Sequence, residues 1–146
     1  MGWDLADNLK TVNAIRALKR ALKNRKYPDR KLIHHSDRGF QYCSPRYTKA
    51  LKNNGVEISM TTKYDPYENA VAERVNGILK TEYEIGDGFV GQKDAKSEIN
   101  HAIWLYNTDR PHLSCNYLEP VKAHELEGFK LKKWSKKQKN QLQSVN

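Results

Sequence analysis

Apolar residues recur at steps of three and four from the start of the chain. Leu5, Leu9, Val12, Ile15, Leu18 and Leu22 share one helical face, while Arg16, Lys19, Arg20, Lys23, Arg25 and Lys26 fill the remaining positions. Pro28 closes this helix. "KLIHH" then reads as a short strand between Asp29 and the turn residues "SDRG". Ser44 caps a second helix with Pro45 in its first turn, Tyr47, Ala50 and Leu51 form its apolar side, and Gly55 suits a left-handed stop. "VEISM" alternates, with Val56, Ile58 and Met60 inward, and predicts a second strand. The polar "TTKYDPYEN" is a loop, and a helix follows from Asn69 to about Glu84, with Val71, Val75, Ile78, Leu79 and Glu82 on one side. After the break "IGDGFVGQ", another helix covers roughly Ala95 to Asn107, with Ile99, Ala102, Ile103 and Tyr106 as its core edge. "DRPH" ends it, and "LEPVKAHE" forms a last short helical turn.

Helix, strand, helix, strand, helix, helix is an α/β order. Two strands joined through a helical crossover are expected to run parallel. Parallel sheets need both faces covered, so two strands make a thin sheet and leave the arrangement incomplete. The 146 residues suffice for one domain with a modest core. No run of 18 apolar residues is present, so no membrane span is expected. "MGWDLADNLK" lacks the basic and apolar regions of a secretory signal. Cys43 and Cys115 lie far apart and in no C-x-x-C pattern, as expected of free thiols in a reducing cytoplasm.

Charge changes the picture. The net charge is +9, unevenly spread. Residues 1–36 hold nine bases against three acids, a balance of +6, and residues 128–146 hold six lysines and no acid, another +6. The centre, 37–127, holds eleven bases against fourteen acids, a balance of −3. Basic ends around an acidic centre point to a polyanionic partner, with the carboxylates gathered for a different task. The bland alternative is that basic ends only keep the protein soluble.

Asp37 directly follows the first strand, the edge position where α/β folds present reactive side chains. "SDRG" is equally good turn chemistry, with Gly39 expected to supply a positive φ. His34 and His35 are adjacent in a strand and point to opposite faces, so they are expected to be packed or hydrogen-bonded rather than to chelate one ion. Glu73 falls in the first turn of its helix, where a carboxylate also stabilises the helix end. Lys80 lies seven positions later, two turns along the same face.

Together these features resemble a known family. Asp37 and Glu73 have 35 residues between them, with Asn69 four before the glutamate and Lys80 seven after it. With "HSDRGFQYCS", "GVEISM", "DPYENAVAERVNGILKTE" and "YNTDRPHLSCNYLEP" in order, the chain resembles the retroviral-integrase-like DDE transposases, specifically the second reading frame of bacterial insertion-sequence transposases. The resemblance spans residues 1 to about 126. It implies an incomplete ribonuclease-H-like fold, with a core at 1–127 lacking its first strands; beyond it, the basic tail at 128–146 reads as either helical or disordered. It implies DNA transposition and integration by Mg²⁺- or Mn²⁺-dependent strand cleavage and transfer, at a two-ion site in the complete domain.

By that resemblance Asp37 bridges the ions, Glu73 binds one of them, and Lys80 contacts DNA. Arg74 and Lys63 are further phosphate contacts, and Tyr64 and Tyr67 are placed either to stack on bases or to pack in the core. Arg110 and His112 read more simply as the end of a helix than as DNA contacts. The family's first strands and first catalytic Asp have no counterpart, and neither Asp4, Asp7 nor Asp29 takes that role. The chain alone is therefore expected to lack strand-transfer activity; the alternative is a metal-independent DNA-binding module or an inactive remnant. Transposon ends and target DNA are the implied partners in the cytoplasm. The raw edge of "KLIHH" is expected to drive homo-oligomer formation.

Overall fold

A computed structural model describes residues 2–62, 66–85 and 88–132. Lys63, Tyr64 and the tail from Lys133 onward, including Trp134, lie outside the described residues. The chain divides into two compact units, Met1–Asn76 and Gly77–Asn146.

The first unit opens with an extended segment and helix α1, Thr11–Lys23. The helix starts later than the apolar spacing suggests, and Leu9 is 71% exposed. The reason is local polar chemistry. Asn8 accepts from the Lys10 amide at 3.1 Å and from Asn13 Nδ2 at 2.9 Å, holding the chain in a turn. Residues before it run back along α1, so closely that a Cβ on Gly2 would sit 2.2 Å from the Ala17 carbonyl oxygen. Asp4, with a side chain only 7% exposed, accepts from Arg16 and Arg20 at 2.8 Å each. It is committed to that clamp.

Strands β1, Leu32–Ser36, and β2, Val56–Met60, pair in parallel with Leu32 opposite Val56 and His35 opposite Ser59. The crossover carries a short turn of helix, α2 (Phe40–Cys43), which the sequence pattern does not announce, and α3 (Pro45–Asn53). Ser44 caps α3 as its sequence suggests, its Oγ accepting from the Tyr47 amide at 3.2 Å, and Gly55 has φ +64°. Helix α1 packs against α2 and α3, and α3 against β2. Ile15, Leu18, Tyr47, Leu51 and Val56 form the core between them, and Leu51 is fully buried. Burying one leucine contributes ~2 kcal/mol, so this small cluster supplies much of the unit's cohesion. On the opposite face of β1, Ile33 remains 57% exposed.

The "DPYEN" segment ends in a 3₁₀ turn, Pro66–Asn69, and α4 runs Ala70–Thr81, shorter than its apolar spacing predicts. Ile78 is buried, but Val71, expected on the packed side, is 80% exposed. In the second unit α5 (Gln92–Thr108) packs with α6 (Pro120–Glu125), burying Ala95, Ala102, Tyr106, Cys115 and Ala123. Arg110 Nε and Nη2 donate to the Glu82 carboxylate at 2.7 and 3.0 Å, and Tyr106 and His112 stack edge-on at 4.6 Å. Arg110 and His112 of "DRPH" thus both have structural work within this unit. Cys43 and Cys115 are free thiols.

His34 points into the core face of β1, its Nε2 3.0 Å from the Tyr47 hydroxyl and its ring against Tyr42 and Tyr47. Burial pushes its pKa below 6.5 and pushes Tyr47 up to about 12. A histidine depressed in the folded state binds its proton more readily unfolded, so stability present at neutral pH is lost as pH falls through 6.5. Urea unfolding at pH 7.5 and 5.5 is expected to show lower stability at the acid value, and His34→Gln to remove most of that difference.

Candidate functional site at the strand ends

The parallel pair brings the C-terminal ends of β1 and β2 side by side, and two loops leave from there. The first carries Asp37. Its carboxylate is exposed, and Oδ1 accepts from the Gly39 amide at 2.9 Å, an Asx-type turn. Gly39 itself has φ −53°, not the positive value its type suggested. Its smallness matters for space instead, because a Cβ there would sit 3.0 Å from Asp37 Oδ1 and 2.7 Å from Gln41 Nε2. Turn and presented carboxylate are therefore one feature: the Asx bond engages one oxygen and leaves the other available. Arg38 Nε donates to the Thr61 carbonyl at 2.7 Å, fastening this loop to the end of β2.

The second loop leads to Glu73 and is fastened to the same platform. His35, on the face of β1 opposite His34, has Nε2 2.9 Å from the Glu68 carbonyl and Nδ1 2.8 Å from Ser59 Oγ. A carbonyl only accepts, so Nε2 carries a proton and donates to it, while Nδ1 shares a hydrogen bond with the serine hydroxyl. The Glu68 carboxylate in turn accepts from the Thr62 amide at 2.6 Å and from Thr62 Oγ1 at 2.7 Å. Those two hydrogen bonds, followed by the positive charges of His35 and Arg38, hold the Glu68 pKa below the usual carboxylate range. The 3₁₀ turn just before α4 is thus pinned from both its main chain and its side chain.

Glu73 is exposed in the first turn of α4, with Arg74 beside it, and Lys80 is exposed in the last turn, beyond the boundary between the two units. Asp37, Glu73 and Arg74 all belong to the first unit. Among the described residues no group of three or more His, Cys, Asp or Glu side chains assembles around one point. The His35–Glu68 connection is not legible in the sequence, since only the folded strand pair brings positions 33 residues apart into contact. The sequence signal was the abundance of polar residues flanking both strand ends.

Two integrase core domain families match this chain, one over residues 1–66 and the other over residues 54–120. The chain belongs to the integrase core family. Its relatives there are insertion-sequence transposases: it is 36% identical over 121 residues to transposase InsF of insertion sequence IS3A from Escherichia coli K12, an alignment covering 82% of this chain and 42% of the relative. It is 32% identical over 127 residues to a Mycobacterium tuberculosis protein named for insertion sequence element IS986/IS6110, covering 83% and 45%. The chain thus spans less than half the length of these transposases.

Solved structures agree on the fold. A chain of the simian T-cell lymphotropic virus intasome superposes with a TM-score of 0.67 at 20% identity, over 90% of this chain and 46% of that one. The catalytic core domain of BIV integrase superposes with a TM-score of 0.61 at 18% identity, over 80% and 72%. The integrase core of this chain is therefore ribonuclease-H-like α/β, with a small parallel sheet and helices.

The Glu68 contacts give a direct expectation. Glu68→Ala should release the Thr62 amide, lowering its protection from hydrogen exchange at least tenfold while leaving amides of α3 unchanged. In the unaltered chain the same release should occur on acidification below pH 4.5, because a carboxylate with a depressed pKa contributes stability that is lost as pH falls through its folded value. A titration of the Thr62 amide shift between pH 6 and 3 reads it.

Proposed function

We propose that this chain serves in a transposase catalytic core for DNA transposition and integration, with Asp37 and Glu73 as its acidic pair. The observation that carries the reading is the joint family match over residues 1–120, within which Asp37 closes β1 and Glu73 opens α4. The two residue types suit the task. Phosphodiester cleavage and transfer demand an activated oxygen nucleophile and stabilisation of a leaving oxygen, and exposed carboxylates are hard oxygen donors of the kind Mg²⁺ or Mn²⁺ takes. A divalent ion held by Asp37 and Glu73 would supply charge stabilisation to the attacking and leaving oxygens. Two carboxylates suit one ion completed by water and are few for two. Asp4 adds no donor, since Arg16 and Arg20 occupy both its oxygens.

The remaining roles follow from charge and position. Asp37 is presented by its own Asx turn, and the contacts of His35 and Glu68 hold the start of α4 that carries Glu73. Lys80 and Arg74 on α4, with Lys63, are phosphate contacts in this reading, and Tyr64 stacks on a base. The lysine-rich stretch 128–146 adds sequence-independent attraction to DNA. No helix among the described residues is long and apolar enough to cross a membrane. The free thiols suit a cytoplasmic setting.

Mn²⁺ titration of isotopically labelled chain tests the acidic pair. Amides around Asp37 and Glu73 should broaden together, and Asp37→Asn should abolish the broadening at both places. Broadening at only one of them, or only at scattered surface acids, would show that the pair holds no common ion.

We also infer self-association through β1. Among the described residues it pairs on one edge only, with β2, and Ile33 lies exposed beside the open edge. Sedimentation at micromolar concentration should show a dimer; a clean monomer sinks this part of the reading.

A further inference from the structure

Helix α1 has a second face that the strand-end site does not use. Residues 8–28 contain seven bases and no acid. At 100° per residue Arg16, Lys19 and Lys23 fall within one narrow stripe, with Arg20 along its flank. All four are exposed, while Ile15 and Leu18 on the other side are buried in the core with Tyr47, Leu51 and Val56. The stripe therefore faces away from the sheet.

Such a stripe is unfavourable in isolation. Arg16 with Arg20, and Lys19 with Lys23, are like charges four positions apart, and Arg16 with Lys19, and Arg20 with Lys23, three apart. An ordinary surface helix relieves this with interspersed acids, and α1 has none. Lys19 and Lys23 make no ion pair among the described residues. Among the described residues the one acid that pairs with the helix, Asp4, comes from outside it and grips two guanidinium groups with one carboxylate, so a net positive charge remains. Arg16 Nε and Nη2 and Arg20 Nη1 are engaged on the inner side, which fixes both forks while about half of each side chain stays exposed. Ordered guanidinium groups beside two ammonium groups that have no acid partner among the described residues are a surface that gains when a polyanion replaces the missing acids.

We propose that the outer face of α1 is a docking surface for the phosphate backbone of duplex DNA, built from Arg16, Lys19, Arg20 and Lys23 and separate from the strand-end site. Length fits: Arg16 to Lys23 spans about 10 Å of helix, the reach of about three successive steps along one strand of a duplex. Charge density selects DNA over an acidic protein segment, because a duplex presents phosphates continuously at this spacing. The contact is sequence-independent: Arg16 and Arg20 are anchored to Asp4, and Lys19 and Lys23 meet phosphate as point charges.

The test is anisotropy of a labelled random-sequence duplex with the full chain, in EDTA, over a series of salt concentrations. EDTA makes the outcome independent of the Asp37–Glu73 reading. Lys19→Gln/Lys23→Gln should lower the slope of log K against log salt by roughly 1.8, two lost phosphate contacts at about 0.9 each. Lys49→Gln/Lys52→Gln on α3, which removes equal charge from an exposed position elsewhere, should leave the slope unchanged within half a unit. Both pairs are exposed and should keep wild-type circular dichroism. An unchanged slope in the α1 pair overturns the proposal. So does an equal loss in the α3 pair, which would mean that net charge alone sets binding, and so does an unaltered chain with no salt-dependent binding at all.

Discussion

Parallel pairing of β1 with β2 is the constraint on which the rest of the first unit depends. In a parallel pair both C-terminal ends lie on the same side, so the loops that leave them start as neighbours. The register then decides which side chains meet. His35 stands opposite Ser59, and Ser36 opposite Met60, so a ring at one strand end has a hydroxyl across from it. Shifting the pairing by one residue would turn His35 toward the core and His34 toward the loops. The core argues against that slip, because His34 is already fitted between Tyr42 and Tyr47 under α3.

Above that platform the loops are held by polar contacts rather than by burial. Arg38 reaches the Thr61 carbonyl, Glu68 reaches Thr62, and His35 reaches Glu68. The first of these bonds is half-buried and the other two are exposed, and together they restrain two acid-bearing segments against one strand end. An apolar packing of the same loops would leave no open carboxylates. The polar fastening is compatible with exposed Asp37 and Glu73, which is what a site for hard cations and phosphates requires.

Positive charge in this chain is organised by a different logic. Asp4 does not neutralise α1; it orders two arginines and leaves the helix cationic. Arg110, by contrast, meets Glu82 two-pronged and is spent within its own unit. The same residue type thus serves either as an anchor or as a presented charge, depending on how many carboxylates stand beside it.

Local physics was legible in the sequence. The alternation of "VEISM", the Ser44-Pro45 helix start, the Gly55 stop and the divergence of His34 and His35 all follow from period, capping and strand geometry, and the structure has each of them. So does the position of Asp37 after a strand and Glu73 in a first helical turn. Tertiary structure decided the rest. Helix α1 begins at Thr11 rather than at the first apolar repeat because the Asn8 turn sends the chain back along the helix, where Asp4 finds arginines 12 and 16 positions away. Val71 has helical spacing yet stays 80% exposed. Glu68 looked like one polar residue in a loop until the register of two strands set His35 and Thr62 around it. Periodicity reports what a residue's near neighbours allow, whereas the work of Asp4, His35 and Glu68 depends on partners that only the folded chain brings within hydrogen-bonding distance.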